Sequence, residues 1–556
     1  MRRPGTVAAV FVFAAMAAVG TYAVIPRPRT PPVAHTLGVA DPITLPPPRI
    51  EVRPSLERAP TPAESLEMRL AALARAVESR RIGSADASLA RFDVEGLAAE
   101  INAIIARYAS KVHVSVHVRD LESQHVLFDY FGDMPLIPAS NQKLVTAAAA
   151  LDLLGPDYTF RTIVAADDRM LYLRGEGDPS LQVDDLDQIA TLTLGQIDIG
   201  AFERLVVDDT VFSPRFFAPD YPEGGPGYSY EAPSGALSTN FNTIEVTVFP
   251  VAAARGATTI GVTVVPNGSA VVVENRARVG RRRAIGIATR SDDEGHTVVR
   301  VEGTLTKSSR PVVERRRVAD PGLFTGSVFA EILAEQSATR PLPVERGRLP
   351  AEADVLVDNA STTLLEVLDA GLAYSNNFIA EQVLRTLAWR MTGDPGDWNA
   401  GQQVLHDYWA ALIGDPEQLT VVNAAGLTRQ GRATTSGLVD LITVAHRTAA
   451  DRDAGLLDAL PVAGEEGTLR TRLRLSGRRV RAKTGTLTGV SGLTGVITAE
   501  DGTPQVGFSI LVNAHEGVSF DAKKRRQIED RIVMDVLGAL DAYEALRTGL
   551  LVPKPN

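Results

Sequence analysis

The sequence predicts an α/β fold of the α+β kind: an antiparallel sheet with helices, interrupted by a mostly β insert. Three observations predict it. Strand patterns lie at both ends of the folded region, VHVSVHVRD at 112–120 with VLFDY at 126–130, and VRAKTGTL from 480 followed by GLTGVITA and QVGFSILVN. Alternating side chains of this kind suit half-buried antiparallel strands. Helical patterns follow Ser140 and flank Ser375. Finally, Ser140 and Ser375 are 235 residues apart, too far for a connection within one compact domain, and short strand patterns fill the interval.

The chemistry is organised around PASNQKL at 138–144, which sets Ser140 three residues before Lys143. Three residues of helix turn the chain through roughly 300°, so the two side chains share a face. Pro138 suits the approach to the helix, and Ser140 falls in its first turn, where unpaired N–H groups and the positive end of the dipole stabilise an oxyanion. The apolar run LVTAAAALDLLG predicts a buried helix, and burial lowers a lysine's pKa. A neutral Lys143 takes the proton of Ser140. Alone, S-x-x-K is a chance pattern; two later segments give it weight. YSNNFIAE puts Ser375 and Asn377 at a break between two helices, where both polar side chains can face a cleft; a helix cap is the plainer alternative. RAKTGTLTG puts Lys483, Thr484 and Thr486 on an edge-type strand, with Lys483 read as a fixed positive charge. Gly485 allows another backbone to approach, and a substrate can lie along such an edge as an added strand. Thr484 and Thr486 can donate to a carboxylate, and the Thr486 amide is a second oxyanion donor.

Composition bounds the alternatives. The 556 residues suffice for two to four domains, and 45% hydrophobic content is that of a globular chain. A formal charge of −10 without a long basic face argues against nucleic acid as a partner. With no cysteine there is no disulfide, thiolate nucleophile or cysteine metal site. His113, His117 and His125 lack further ligands nearby and read as sheet residues, so neither metal nor other cofactor is expected. Arg2 and Arg3 precede an uncharged run from Thr6 to Ile25, so residues 1–25 read as a cleaved signal peptide or as an uncleaved signal anchor, a single membrane anchor. Either places the rest outside the membrane. Residues 26–62 hold eleven prolines and read as an extended tether.

The catalytic domain then begins with 63–161, including helices near 64–80 and 94–108. The insert spans 162–354, mostly β with helix mainly at 324–335, and the catalytic domain resumes over 355–547 before a tail at 548–556. Within the insert the basic run at 280–283, GRRR, reads as a solvated turn, the alternative being a contact for carboxylates or phosphates of an extracellular polymer.

With these segments in hand the chain resembles the penicillin-binding D-alanyl-D-alanine carboxypeptidases of the peptidase S13 family, the class C low-molecular-mass type. The resemblance is carried by PASNQKL, LGPDYTFRT at 154–162, GDPSL at 177–181, ALSTNFN at 236–242, YSNNFIAE, AGEEGTL at 463–469 and KTGTLTGVSGLTG at 483–495. It implies a penicillin-recognising serine transpeptidase/β-lactamase-like fold. It also implies an acyl-enzyme on Ser140 with a peptidoglycan stem peptide, Lys143 as base, Ser375 as proton relay, Asn377 as a positioning group, and Lys483, Thr484 and Thr486 as the carboxylate site. Endopeptidase action on D-alanyl cross-links and covalent binding of β-lactams follow from the same resemblance. One departure stands out: where the family usually carries a D-G-S-G-L-S-like loop, this chain has Asn423-Ala424-Ala425-Gly426-Leu427-Thr428. Two other readings remain open at this point, a non-catalytic wall-binding protein of the same fold and a serine β-lactamase, the latter with Glu465 or Glu466 as its only conceivable deacylating base.

Overall fold

The structure is a computed structural model that describes residues 49–51, 66–79, 93–253, 257–449 and 454–547. The expected signal or anchor, most of the proline-rich tether and the tail lie outside these residues. No helix among the described residues is long and apolar enough to cross a membrane.

A five-stranded antiparallel sheet carries the third motif. Its order is Val480–Leu487, Val490–Thr498, Pro504–Ala514, Val112–Asp120, Val126–Tyr130. The two ends of the folded region therefore meet in one sheet, and the hairpin at 112–130 is completed by strands almost 400 positions later, about what the separation of the sequence patterns requires. Every residue of Val490–Thr498 is buried, so alternation is lost in the central strands because both faces are covered. Helices Val94–Ala106 and Ala522–Arg547 share the core of one face. Thr435–Ala449 packs on the other, where Ile442, Val496 and Leu511 join the largest apolar core.

That core is a helical layer built around Gln142–Leu154, which packs against Leu364–Ala373, Asn377–Thr392, Trp398–Leu412 and Thr435–Ala449. Alanines at 147–150 let neighbouring helices approach it from all sides, and only Asp152 and Leu154 escape full burial. Thr363 caps the helix Leu364–Ala373, with Glu366 answering from its third position.

The segment between the two serine motifs builds a six-stranded mixed sheet in the order Arg49–Glu51, Asp354–Thr363, Thr159–Ala166, Met170–Gly175, Arg204–Asp208, Val344–Arg346. The expected start of the insert, Thr162, falls inside one strand of this sheet, and its expected end, Asp354, opens the strand paired antiparallel to it. Three residues of the proline-rich stretch form the outermost strand, a place where flanking prolines cost no ladder bond. Beyond lie a four-stranded sheet containing Val271–Asn275, Arg278–Val279, Ala284–Ser291 and Thr297–Leu305, and a three-stranded one of Thr243–Ala252, Thr258–Val265 and Val312–Arg317.

The insert holds more helix than its pattern suggested. Pro321–Ser337 is longer than the expected 324–335, and Val183–Leu194 packs beside it. The latter buries Leu186, Ile189, Ala190 and Thr193 at helical steps, but its end, ATLTL, alternates like a strand and masks the period. The Asp185 carboxylate accepts the Gln182 N–H at 2.7 Å and starts the helix.

Candidate active site

Ser140 sits in a 3-10 turn, Ala139–Asn141, that leads directly into the helix Gln142–Leu154. Ala139 has φ +47°, a left-handed conformation costly for alanine. The turn lies against the sheet over two glycines. A Cβ on Gly485 would stand 2.7 Å from Pro138 O and 3.2 Å from Ser140 N, and one on Gly492 would stand 2.4 Å from Asn141 Nδ2. Gly485 thus permits a close backbone approach, and the approaching segment is the nucleophile's own turn.

Lys143 is 2% exposed, and its Nζ lies 3.1 Å from Ser140 Oγ, 2.7 Å from Asn377 Oδ1 and 2.8 Å from the Ala425 carbonyl. Burial lowers its pKa to about 7, against an opposing pull from Glu381. A neutral amine has two N–H bonds and one lone pair. The Asn377 and Ala425 oxygens accept only, so they take both N–H groups and leave the lone pair to the Ser140 hydroxyl. The same three oxygens can each accept from an ammonium, so it is the lowered pKa that makes the base form available near neutrality.

Glu381 is the residue the sequence reading passed over, although it closes the YSNNFIAE segment four positions after Asn377. Fully buried, it accepts from Ala425 N–H (3.0 Å), Ala424 N–H (3.3 Å), Trp398 Nε1–H (2.9 Å) and Tyr221 O–H (3.4 Å). It thereby fixes the loop whose carbonyl holds Lys143. That loop is the one departing from the family pattern. Asn423 Oδ1 accepts the Leu427 N–H at 3.1 Å and its amide donates to Pro219 O at 3.0 Å, while Gly426 (φ +71°) lets the chain pass beside Ala139 O. An amide here closes the loop without a charge.

Ser375 stands at the break between Leu364–Ala373 and Asn377–Thr392, in the left-handed region at φ +56°. Its hydroxyl makes no hydrogen bond among the described residues. Asn376, not Ser375 or Asn377, caps the following helix, accepting Ile379 N–H at 3.2 Å. The cap alternative therefore applies to Asn376 alone, and Asn377 is left to hold Lys143 through Oδ1 and the Tyr230 carbonyl through Nδ2 at 2.9 Å. Tyr230 lies 147 positions before Asn377, a link no local pattern signals.

Lys483 is 0% exposed and donates to the Thr484 carbonyl at 2.8 Å. Burial, helped by Lys143, pushes its pKa well below the ordinary value. The charge expected on Lys483 is therefore not fixed by the residue type alone: burial disfavours it, and an anion facing the amine favours it. Thr484 Oγ1 donates to Thr468 Oγ1 at 2.7 Å, and Thr468 sits beside Gly467, whose φ is +52°. Val480–Leu487 is the edge of its sheet. Ala463 N–H donates to Val480 O and Ala482 N–H to Pro461 O, so even-numbered residues turn their backbone groups outward. By that alternation Thr486, which is exposed, presents its N–H along the same open edge. Glu465 is ion-paired with Arg478 at 2.9 Å.

Ser140, Lys143 and Asn377 are thus joined by hydrogen bonds, with Lys483 electrostatically coupled to Lys143. Ser375, Thr484 and Thr486 hold their positions on the break and the edge strand without a hydrogen bond to that trio. Comparison with known proteins bears on this arrangement. The chain is 34% identical over 462 residues to a D-alanyl-D-alanine carboxypeptidase of Actinomadura sp. (strain R39), covering 78% of this chain and 83% of that one. Its fold is similar to the crystal structure of penicillin binding protein 4 from Haemophilus influenzae, with TM-score 0.66 and 18% identity over 79% of this chain and 99% of that one. A second structure of that protein, complexed with a β-lactam, matches at TM-score 0.62, with 18% identity over 79% of this chain and 99% of that one. Residues 97–535 match the D-Ala-D-Ala carboxypeptidase 3 (S13) family as a whole, and the chain belongs to it.

Proposed function

We propose that this enzyme removes the terminal D-alanine from peptidoglycan stem peptides through an acyl-enzyme on Ser140. The observation that carries the reading is the sharing of the Lys143 amine among Ser140 Oγ, Asn377 Oδ1 and the Ala425 carbonyl. Ser140 Oγ attacks the penultimate D-alanine carbonyl while its proton passes to Lys143. The oxyanion forms between the Ser140 and Thr486 N–H groups, one from the turn and one from the outward edge. Collapse breaks the peptide C–N bond. The departing amine receives the proton from Lys143 through the Ser375 hydroxyl, which is free to rotate, and Asn377 keeps the lysine in register. Lys483, Thr484 and Thr486 receive the terminal carboxylate, whose negative charge favours the protonated form of Lys483. Water then attacks the ester and restores Ser140.

The same steps applied to a D-alanyl cross-link acylate Ser140 with the D-alanyl carbonyl and expel the amine of the neighbouring stem peptide instead of free D-alanine, so endopeptidase action belongs to the proposal. A β-lactam opens its ring amide onto Ser140, and its amine remains tethered where the leaving group would depart. The site acts outside the membrane, on a chain exported by residues 1–25 as signal or anchor and set off by the tether 26–62. The catalytic domain comprises 63–161 and 355–547, with 162–354 inserted.

Intact-mass analysis after incubation with benzylpenicillin tests the reading. A stable adduct on the peptide containing Ser140, absent in Ser140→Ala, and release of D-alanine from a D-Ala-D-Ala peptide support it. Rapid turnover of the adduct favours the β-lactamase, and no adduct on folded protein favours the non-catalytic binder.

A further inference from the structure

The turn Gly280–Arg283 is tied down. Gly280 N–H donates to Leu305 O at 2.8 Å, Thr304 Oγ1 donates to Arg282 O at 2.9 Å, and the Arg283 guanidinium reaches Pro311 O at 3.4 Å. A Cβ on Gly280 would stand 2.7 Å from Thr304 Cβ, so glycine is what lets the turn lie flush on the strand Thr297–Leu305. Arg278 pairs in register with Thr304, and the turn after Leu305 brings Lys307 and Arg310 to the same end of the sheet. Arg278, Arg281, Arg282, Arg283, Lys307 and Arg310 are thereby gathered on one tip, all exposed.

No aspartate or glutamate occurs in 275–292 short of Asp292 or in 303–313, and among the described residues none of the six has an ion-pair partner. The rest of the same sheet behaves differently. Arg276 and Arg290 pair with Glu274, and Arg300 pairs with Glu302. Six unpaired cations on a chain of formal charge −10 repel one another and are not needed to keep the protein soluble. Such a tip is stabilised when an anion arrives and releases its counterions. Five of the six are arginines, whose planar fork matches phosphate oxygens in pairs. No large apolar side chain is exposed on 276–284 or 304–311, so the tip has nothing to insert into a bilayer.

We infer that this tip is an electrostatic docking surface for a phosphodiester-bearing wall polymer, which holds the enzyme beside its substrate without entering the active site. The choice of a wall polymer rests on the proposed site of action; the anion-binding tip itself does not.

The test uses the folded chain, poly(glycerol phosphate), polygalacturonate, and vesicles of 30% phosphatidylglycerol in phosphatidylcholine. Poly(glycerol phosphate) should bind with an affinity that falls steeply with salt, about 0.7 in log K per log [NaCl] for each phosphate contacted. The triple variant R281E/R282E/R283E should lose at least ~10-fold in affinity and at least about 2 units of salt slope. Its benzylpenicillin acylation rate should equal the parent's, which separates failure of the tip from failure of the active-site reading. Equal binding by parent and variant, absence of binding, tighter binding of polygalacturonate, or binding to the vesicles alone would each overturn the inference.

Discussion

Glu381 and Ala425 are locked face to face: the buried carboxylate accepts the Ala425 N–H at 3.0 Å, and the carbonyl of the same residue accepts from Lys143 at 2.8 Å. The carboxylate therefore acts on the base through a single residue and through its charge. Glu381→Gln keeps the shape but sets an amide N–H against donors and removes the negative charge. Losing one charge-assisted hydrogen bond, about 1.5–3 kcal/mol, should slow acylation ~10–100-fold. Because Glu381 raises the Lys143 pKa, its removal should also move the acid limb of the acylation profile to lower pH. An unmoved limb would leave Glu381 a purely mechanical support.

The parent profile follows from Lys143 itself. With a pKa lowered to about 7 by burial, the lysine is protonated and inactive as a base below that pH and neutral above it. The second-order rate of benzylpenicillin acylation should therefore rise through pH 7 and fall about tenfold per unit well below it. A limb near the ordinary lysine value would mean that a different group takes the Ser140 proton.

Lys483 gives a calorimetric prediction. Burial pushes its pKa well below the ordinary value and a facing carboxylate raises it again, so it should take up protons as substrate binds. Titration of Ser140→Ala with a D-Ala-D-Ala peptide, in two buffers of different ionisation enthalpy near pH 8, should show net uptake. Lys483→Met should abolish it, and a buffer-independent heat in the parent would refute the coupling.

Gly485→Ala tests the seat of the nucleophile. The new methyl would meet Pro138 O and Asn141 Nδ2 at 2.7 Å, so the turn carrying Ser140 must shift. Acylation should fall by about 10²-fold, since a displacement near 1 Å in a reacting geometry costs that much, while circular dichroism stays native. An unchanged rate would mean that the turn yields without moving Ser140.

Arg385 is fully buried, with its guanidinium on the carbonyls of Gly396 (3.1 Å), Ser234 (2.6 Å) and Ser213 (2.5 Å), between the rings of Trp398 and Phe212. Arg385→Ala orphans three carbonyls and opens a cavity, and should cost about 3 kcal/mol or more in urea unfolding. A loss under 1 kcal/mol would show that water replaces the guanidinium.

The parts of the site that were legible in the sequence are those encoded by short spacing. Ser140 and Lys143 meet because three residues of helical chain bring them together, and the strand context of Lys483 follows from alternation. Glu381, Tyr230 and Thr468 were not legible, because each meets its partner through tertiary folding and not through short spacing: Thr468 lies 16 positions from Thr484, and Tyr230 reaches Asn377 from 147 positions away. The lowered pKa of Lys483 was not legible for a related reason. A strand pattern reveals which way a side chain points but not that the surrounding layers seal it from water. Helix Val183–Leu194 was missed because its alternating threonines imitate a strand while its burial follows a helix.

Helix Asn377–Thr392 meets the segment between the two serine motifs through its polar side chains. Asn377 holds Tyr230, Gln382 Nε2 donates to Gly235 O at 2.9 Å, and Arg385 grips Ser213 and Ser234. These positions recur at helical steps, and the same helix begins with the asparagine that orients the base. Residues 162–354 therefore cannot be excised without leaving polar groups on this helix unsatisfied. A minimal enzyme made by joining 161 to 355 would start with a bare, polar helix flank beside its catalytic amine, and would need new apolar or hydrogen-bonding surface at 382 and 385 before its chemistry could be compared with the parent's.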